Sequence, residues 1–228
     1  PEIRQRLLSA IERDSKAQSI MIGHHSRLLD SVRFESDCLD VEALRLISES
    51  ELVDLLGTWL NQLGVSMQTG RFLRQIANTL ISCNTVDVRS GEVEIRQHKG
   101  RIYALKKLPF PTCEEFRLAL GVTHLAGGVL RNVNIEGVGL RPDDYCVRFR
   151  QGGESLRQRH NRSLKNVYQA SGLPAWLRPR LPLIYKDLEL VAIAGIPSWN
   201  FSMQIADGYG VTGSEIGLNV DLLLEDRF

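Results

Sequence analysis

The chain has 228 residues, 43% of them hydrophobic and 24% charged, with a net charge of +1. This is an ordinary soluble composition, long enough for one large or two modest domains, and it contains no apolar run near the roughly 20 residues of a transmembrane helix. The near-zero total hides a segregation: residues 147–186 carry nine Arg or Lys against one acid, Glu154, while residues 187–228 carry seven acids against one arginine. A single-sign cluster of that size makes a local field and points to a localised anionic partner.

Residues 2–30 place Ile3, Leu7, Leu8, Ile11, Ile20, Met21, Leu28 and Leu29 at helical spacing and are predicted to form one long amphipathic helix. Its start lacks the apolar core of a signal peptide. Because it opens at Pro1 without methionine, the sequence is expected to be a piece whose missing part lies upstream. His24 and His25 are neighbours, point to different faces and make a poor metal pair. Asp40 is the expected N-cap of a short helix over 41–47. Ser48 and Glu51 have the spacing of a capping box, opening a helix with Leu52, Val53, Leu55, Leu56, Trp59 and Leu60 on its apolar stripe and Gly64 at its end. A further helix is predicted over 69–82, with Phe72, Leu73, Ile76, Leu80 and Ile81 inward and Arg71 and Arg74 solvated. From Val86 the period changes. Residues 93–96 and 101–105 alternate apolar and polar around His98-Lys99-Gly100, which reads as a β-hairpin. Pro109-Phe110-Pro111 reads as a linker, since each proline pushes its predecessor out of the helical region.

Beyond Thr112 the chain is β-rich, with strands expected near 116–124, 128–136 and 145–150. Gly127-Gly128 lacks the GK[ST] that would make a phosphate loop and reads as a turn. Arg148 and Arg150 alternate with Val147 and Phe149, so both are expected on one face of a strand, followed by a turn over 151–154. Arg157, Arg159, His160 and Arg162 follow in a segment with almost no apolar residues. Read as a loop, such a segment is either solvated or bound to an anion. Ser163 is the expected cap of a helix over 164–171, with Leu164, Val167 and Tyr168 inward and a Gly172-Leu173 stop. Lys165 and Asn166 fall in its first turn, where the helix already carries partial positive charge. A cation there makes physical sense beside an anion such as phosphate. Arg178 and Arg180 flank Pro179, and Trp176 reads as core, with base stacking as the sharper alternative. Strands are expected over 181–185 and 188–194, then near 199–206 and 214–224, with Trp199 and Phe201 alternating inward.

The run RSLKNVYQASGLPAWLRPRLPLIYKDLELVAIAG resembles the C-terminal domain of the tRNA(Ile)-lysidine synthetase family: a basic helix start, a Gly-x-Pro-x-Trp-x-Arg turn, an Arg-x-Pro-Leu strand and an apolar strand ending in Ala-Gly. Ser163, Leu164, Lys165, Gly172, Pro174, Trp176, Arg178, Leu181, Pro182 and Leu183 carry the match. Over 1–107 the order of helices and hairpin is similar to the family's middle, substrate-binding domain. The resemblance implies an α+β protein: a small α-helical, tRNA-binding domain with a terminal hairpin over 1–108, and a mixed α+β tRNA-recognition domain over 112–228, similar to one in the phenylalanyl-tRNA synthetase β-subunit.

The resemblance also implies that the parent is a cytoplasmic ligase. It would adenylate the wobble cytidine of tRNA(Ile) with ATP and Mg, after which lysine displaces AMP to give lysidine. The family's ATP loop, S-G-G-x-D-S, lies N-terminal. Gly152-Gly153-Glu154-Ser155 lacks its leading serine and its aspartate, so no catalytic residue, cofactor or metal ligand is expected in this chain. ATP, Mg and lysine would belong to the missing part. The expected partner is tRNA(Ile), held by Arg148, Arg150, Arg157, Arg159, His160, Arg162, Ser163, Lys165, Asn166, Arg178 and Arg180. A homodimer stays open, and no membrane partner is expected. The alternative is a protein-interaction module whose basic face docks its own acidic C-terminal stretch or a partner. The cysteines, Cys38, Cys83, Cys113 and Cys146, show no CxxC spacing and read as structural thiols, a disulfide between distant ones remaining open.

Overall fold

The computed structural model of the protein describes residues 21, 23–35, 37–65, 69–82, 85–111, 115–158, 160–225 and 227–228. The expectations for residues 2–20, Cys83 and Cys113 lie outside them. The chain divides into two compact units, Pro1–Lys107 with Arg227–Phe228, and Leu108–Asp226. No helix of the described residues is long and apolar enough to cross a membrane.

In the first unit, helix α1 is described over 23–32 and leads into strands β1 (Arg33–Glu35) and β2 (Cys38–Asp40). Asp40 caps α2 (Val41–Leu44), its Oδ1 accepting from the Ala43 N–H at 2.9 Å. Helix α3 (Glu49–Gln62) buries Leu52, Leu55, Leu56, Trp59 and Leu60 as its stripe requires. The capping box does not close, however. Ser48 is the N-cap without a side-chain bond, and Glu51 turns instead to His24 Nε2 at 2.8 Å. Helix α4 (Gly70–Ser82) buries Phe72, Ile76, Ala77 and Leu80. Ile81, expected inward, is 52% exposed, because one residue beyond Leu80 is a rotation of about 100° away from that stripe.

Strands β3 (Asp87–Ser90), β4 (Val93–His98) and β5 (Arg101–Lys106) complete an antiparallel sheet in the order β1-β2-β5-β4-β3. The β4–β5 turn is Lys99-Gly100, both at positive φ (47° and 75°), which suits the twist of a two-residue hairpin. The expectation of a helical domain with one hairpin is therefore corrected to helices packed on a five-stranded sheet. Strands β1, β2 and β3 have three or four residues each, too few to print a period on the sequence. Helices and sheet share one core that includes Trp59, Ile76, Ile95 and Ile102.

The second unit holds two larger antiparallel sheets. One has the order β14-β13-β12-β9-β6, from β6 (Phe116–Arg117), β9 (Cys146–Arg148), β12 (Leu183–Lys186), β13 (Glu189–Ile193) and β14 (Gln204–Ile205). The other has the order β15-β8-β7, from β7 (Gly121–Leu125), β8 (Gly128–Glu136) and β15 (Ile216–Leu224). Val147, Ile184, Val191 and Ala192 of the first sheet share a core with Leu130, Leu218 and Val220 of the second. The strand expected over 199–206 is mostly absent. Pro197 opens a 3-10 turn ending at Trp199, Asn200 follows at φ 50°, and Phe201 is buried. The acidic stretch is not a tail. It supplies β13, β14 and the nine residues of β15, whose Val220 and Leu222 are buried.

Gly139 marks one of the tight backbone crossings of this unit. Its φ is +109°, and a Cβ there would lie 2.4 Å from the Leu218 carbonyl oxygen, beside the paired Leu140–Leu218 backbone bonds of 2.9 and 2.7 Å. Gly139→Ala is expected to lower stability by about 2–4 kcal/mol, seen as a fall in denaturant midpoint with an unchanged m value.

Candidate nucleic-acid interface

The basic segment after Glu154 is a ribbon, not a loop. β10 (Ser155–Gln158) and β11 (His160–Ser163) pair from Ser155↔Ser163 to Gln158↔His160. Arg159 and the His160 side chain lie outside what is described. The one apolar residue of the segment, Leu156, is fully buried among Leu164, Tyr168, Leu190 and Ile193. Gln158 Nε2 donates to the Ile205 carbonyl at 3.1 Å, and the Asp207 N–H to the Arg157 carbonyl at 2.8 Å. The ribbon is thus fastened to the strands behind it, while Arg157 and Arg162 remain exposed.

Ser163 ends β11 and caps α5 (Leu164–Ala170), accepting from the Asn166 N–H at 3.4 Å. Ser163, Lys165 and Asn166 are exposed, and Leu164, Val167 and Tyr168 are buried. At the far end Gly172, at φ 66°, permits the full Schellman pattern: its N–H donates to Gln169 O at 3.1 Å, and the Leu173 N–H to Tyr168 O at 3.0 Å. Trp176 stands half-buried, edge-on to Trp199 at 5.8 Å between ring centroids.

The remaining arginines are braces. Arg178 Nε and Nη2 donate to the Leu173 carbonyl at 3.2 and 3.0 Å, closing the turn after α5. Arg180 donates to the carbonyls of Leu108, at 2.7 Å, and Pro109, and its guanidinium lies 4.9 Å from the Phe110 ring centroid. Arg148 binds Glu115 at 2.8 Å and stacks 4.7 Å from the Tyr185 ring. The shared strand face expected for Arg148 and Arg150 does not form, because β9 stops at Arg148; Arg150 faces Glu154 at 3.8 Å instead. Sequence picked the arginines by charge, and charge alone does not separate exposed side chains from braces. It also passed over Phe110, which is 74% exposed. The available signal was an aromatic ring fixed between two prolines, in a segment with nothing to bury it.

Glu154 is the single acid of the basic stretch, and it turns inward. Its Oε1 accepts from the N–H groups of Gln151 (2.5 Å) and Gly152 (2.8 Å). Burial alone would raise its carboxyl, but those two amides and the Arg150 charge outweigh burial and hold it below the ordinary glutamate value. The Gly152-Gly153 turn therefore turns these amides onto its own carboxylate, and the residues present do not fit a nucleotide phosphate. Elsewhere, Glu35, Asp37 and Cys38 bring metal-capable atoms within 4.8 Å of one another. Asp37 is buried against Arg227 at 2.5 Å, and burial raises the Cys38 thiol, so the charge there is met within the protein.

Because the folded Glu154 carboxyl has a depressed pKa, its contribution is present above the ordinary glutamate value and lost as pH falls through the folded one. Glu154→Gln is expected to be about 0.5–1 kcal/mol less stable at pH 7, with the difference closing below about pH 4. Denaturant melts at the two pH values check this, and an equal deficit at both would exclude the charge as its cause.

Comparison with known families places a match to the TilS substrate C-terminal domain over residues 146–207. A tRNA(Ile)-lysidine synthase of Coxiella burnetii is 27% identical over 210 residues, covering 85% of this chain and 44% of that protein. One of Nitrosomonas europaea is 28% identical over 236 residues, covering 90% and 51%, and one of Methylococcus capsulatus 24% identical over 180 residues, covering 71% and 40%. The chain spans about half the length of the curated relatives it matches. The residues that carried the sequence resemblance, from Ser163 to Leu183, fall inside the matched stretch, and the resemblance is borne out.

Proposed function

We propose that this chain, a relative of tRNA(Ile)-lysidine synthases with a TilS substrate C-terminal domain match at 146–207, is the tRNA-recognition part of such an enzyme. The observation that carries this reading is the fastened ribbon and following helix start, which hold Arg157, Arg162 and Lys165 exposed on hydrogen-bonded backbone. Cations so held suit phosphate contact, and arginine can also read base edges in a bidentate way. On this reading the partner is tRNA(Ile), and the second unit is similar to a domain of the phenylalanyl-tRNA synthetase β-subunit. The parent is then a cytoplasmic ligase that uses ATP, Mg and lysine to convert the wobble cytidine to lysidine. On this reading the chemistry belongs to a part of the parent other than this chain.

A second reading, internal docking of the basic face, is favoured by one contact: Arg157 Nε lies 3.6 Å from Glu189 Oε1. Both side chains are substantially exposed (61% and 41%), so the pair is weak and leaves the guanidinium reachable.

Affinity of the chain for a tRNA(Ile) transcript is expected to fall steeply with salt. Replacing Arg157, Arg159 and Arg162 with alanine should weaken binding at least about tenfold and flatten the log–log salt slope by roughly two to three. Unchanged affinity in that variant would overturn the assignment. Glu189→Gln separates the two readings: several-fold tighter tRNA binding is the outcome of internal docking, and no change speaks against it.

A further inference from the structure

We infer that Phe110, seated over Arg180, is a stacking platform for one unpaired nucleobase of the bound RNA. This rests on the RNA-binding reading and adds to it a site outside the basic ribbon.

Phe110 is 74% exposed. Its backbone is nevertheless held. Prolines on both sides restrict the chain, and Arg180 grips the carbonyls of Leu108 and Pro109. Leu108 in turn packs against Gly127, where an added Cβ would meet its side chain at 3.1 Å. The guanidinium of Arg180 lies 4.9 Å from the ring centroid, occupying one side of the ring. With that side backed by the cation and most of the residue exposed, the opposite face is open to solvent.

A rigid aromatic with one free π-face is what sequence-tolerant base stacking requires. A protein partner that buried Phe110 would need a wider apolar surround. Here the ring sits on a cation, with Pro109 exposed and Pro111 half-buried beside it, a mixed surround that suits a base over a purely apolar partner. The basic residues of the charge segregation lie in the same unit as Phe110. Arg180 follows two residues after Arg178, which closes the end of α5, and the other end of α5 carries Lys165. A base within a duplex has both faces covered, so the occupant is a nucleotide from a loop, bulge or single-stranded end. Arg180 acts through Phe110 and is a positioning residue. That explains why an arginine from the basic stretch turns onto backbone carbonyls.

The test is binding of a tRNA(Ile) transcript to the 228-residue chain and its variants Phe110→Ala, Phe110→Leu and Phe110→Trp. Thermal melts verify folding, which a change at so exposed a residue leaves intact. Phe110→Ala and Phe110→Leu are expected to lose affinity roughly five- to a hundredfold, since neither offers a π-face, while Phe110→Trp retains it. Arg180→Gln should weaken binding in the wild-type background but add no further loss to Phe110→Ala. Ultraviolet crosslinking should join the peptide containing Phe110 to a base of the transcript. Wild-type affinity in both Phe110→Ala and Phe110→Leu, while the triple arginine variant loses it, overturns the platform and leaves RNA binding standing. Wild-type affinity in all of them overturns both the platform and the assignment of the basic ribbon as the RNA-contacting face. Retention by Phe110→Leu but not Phe110→Ala overturns stacking in favour of a general apolar contact.

Discussion

A two-stranded ribbon with a single apolar side chain does not hold its own shape, and the basic face of this protein is such a ribbon. Everything proposed for it depends on Leu156. That side chain reaches the core beneath α5, and two hydrogen bonds, Gln158 to Ile205 and Asp207 to Arg157, tie the strand edge to the sheet behind. The described strands of the ribbon are paired and fastened in the absence of a partner. Arginines presented this way lose less freedom on binding than arginines on a loop, because their backbone entropy has already been lost on folding.

The guanidinium group explains the other half of the basic stretch. It carries five donors in a planar fork, so it can satisfy carbonyls that a helix end or an irregular segment leaves without partners. Arg178 does this for Leu173 after the Schellman turn, and Arg180 for Leu108 and Pro109. Arg148 joins a glutamate and an aromatic ring. The charge excess of residues 147–186 therefore divides into side chains that organise the unit and side chains that face solvent. Glu154 belongs to the first group, folding its own turn around a carboxylate.

Much of the fold was legible because its signals are local. Asp40 capping α2, the stripe of α3, the Lys99-Gly100 turn and the Gly172-Leu173 stop each act within a few residues, so their chemistry appears directly in the chain. Ser48 and Glu51 show where local logic ends. Their spacing suits a capping box, but His24, twenty-seven residues from Glu51, takes the carboxylate. The short strands β1, β2 and β3 gave no period to read, and the turn at Pro197 interrupted an alternation that looked continuous. The ribbon leaves no strand signal for the opposite reason. It has the pairing of a hairpin, but polar residues fill almost all of its positions.

The chain carried in its order of residues the charge segregation, the helix caps and stops, and the frame around Ser163–Leu183 through which its kinship shows. These are sums of nearest-neighbour effects and survive without knowing who meets whom. The direction of each arginine was not among them. Arg180 meets a carbonyl seventy-two residues away, and Arg148 a carboxylate thirty-three away. The acidic stretch likewise became sheet by pairing with distant strands, Ile216 with Glu136 and Leu224 with Gly128. Such partners are chosen by chain crossings and shared cores. No local pattern encodes them, and they decide which charges of the basic stretch reach solvent.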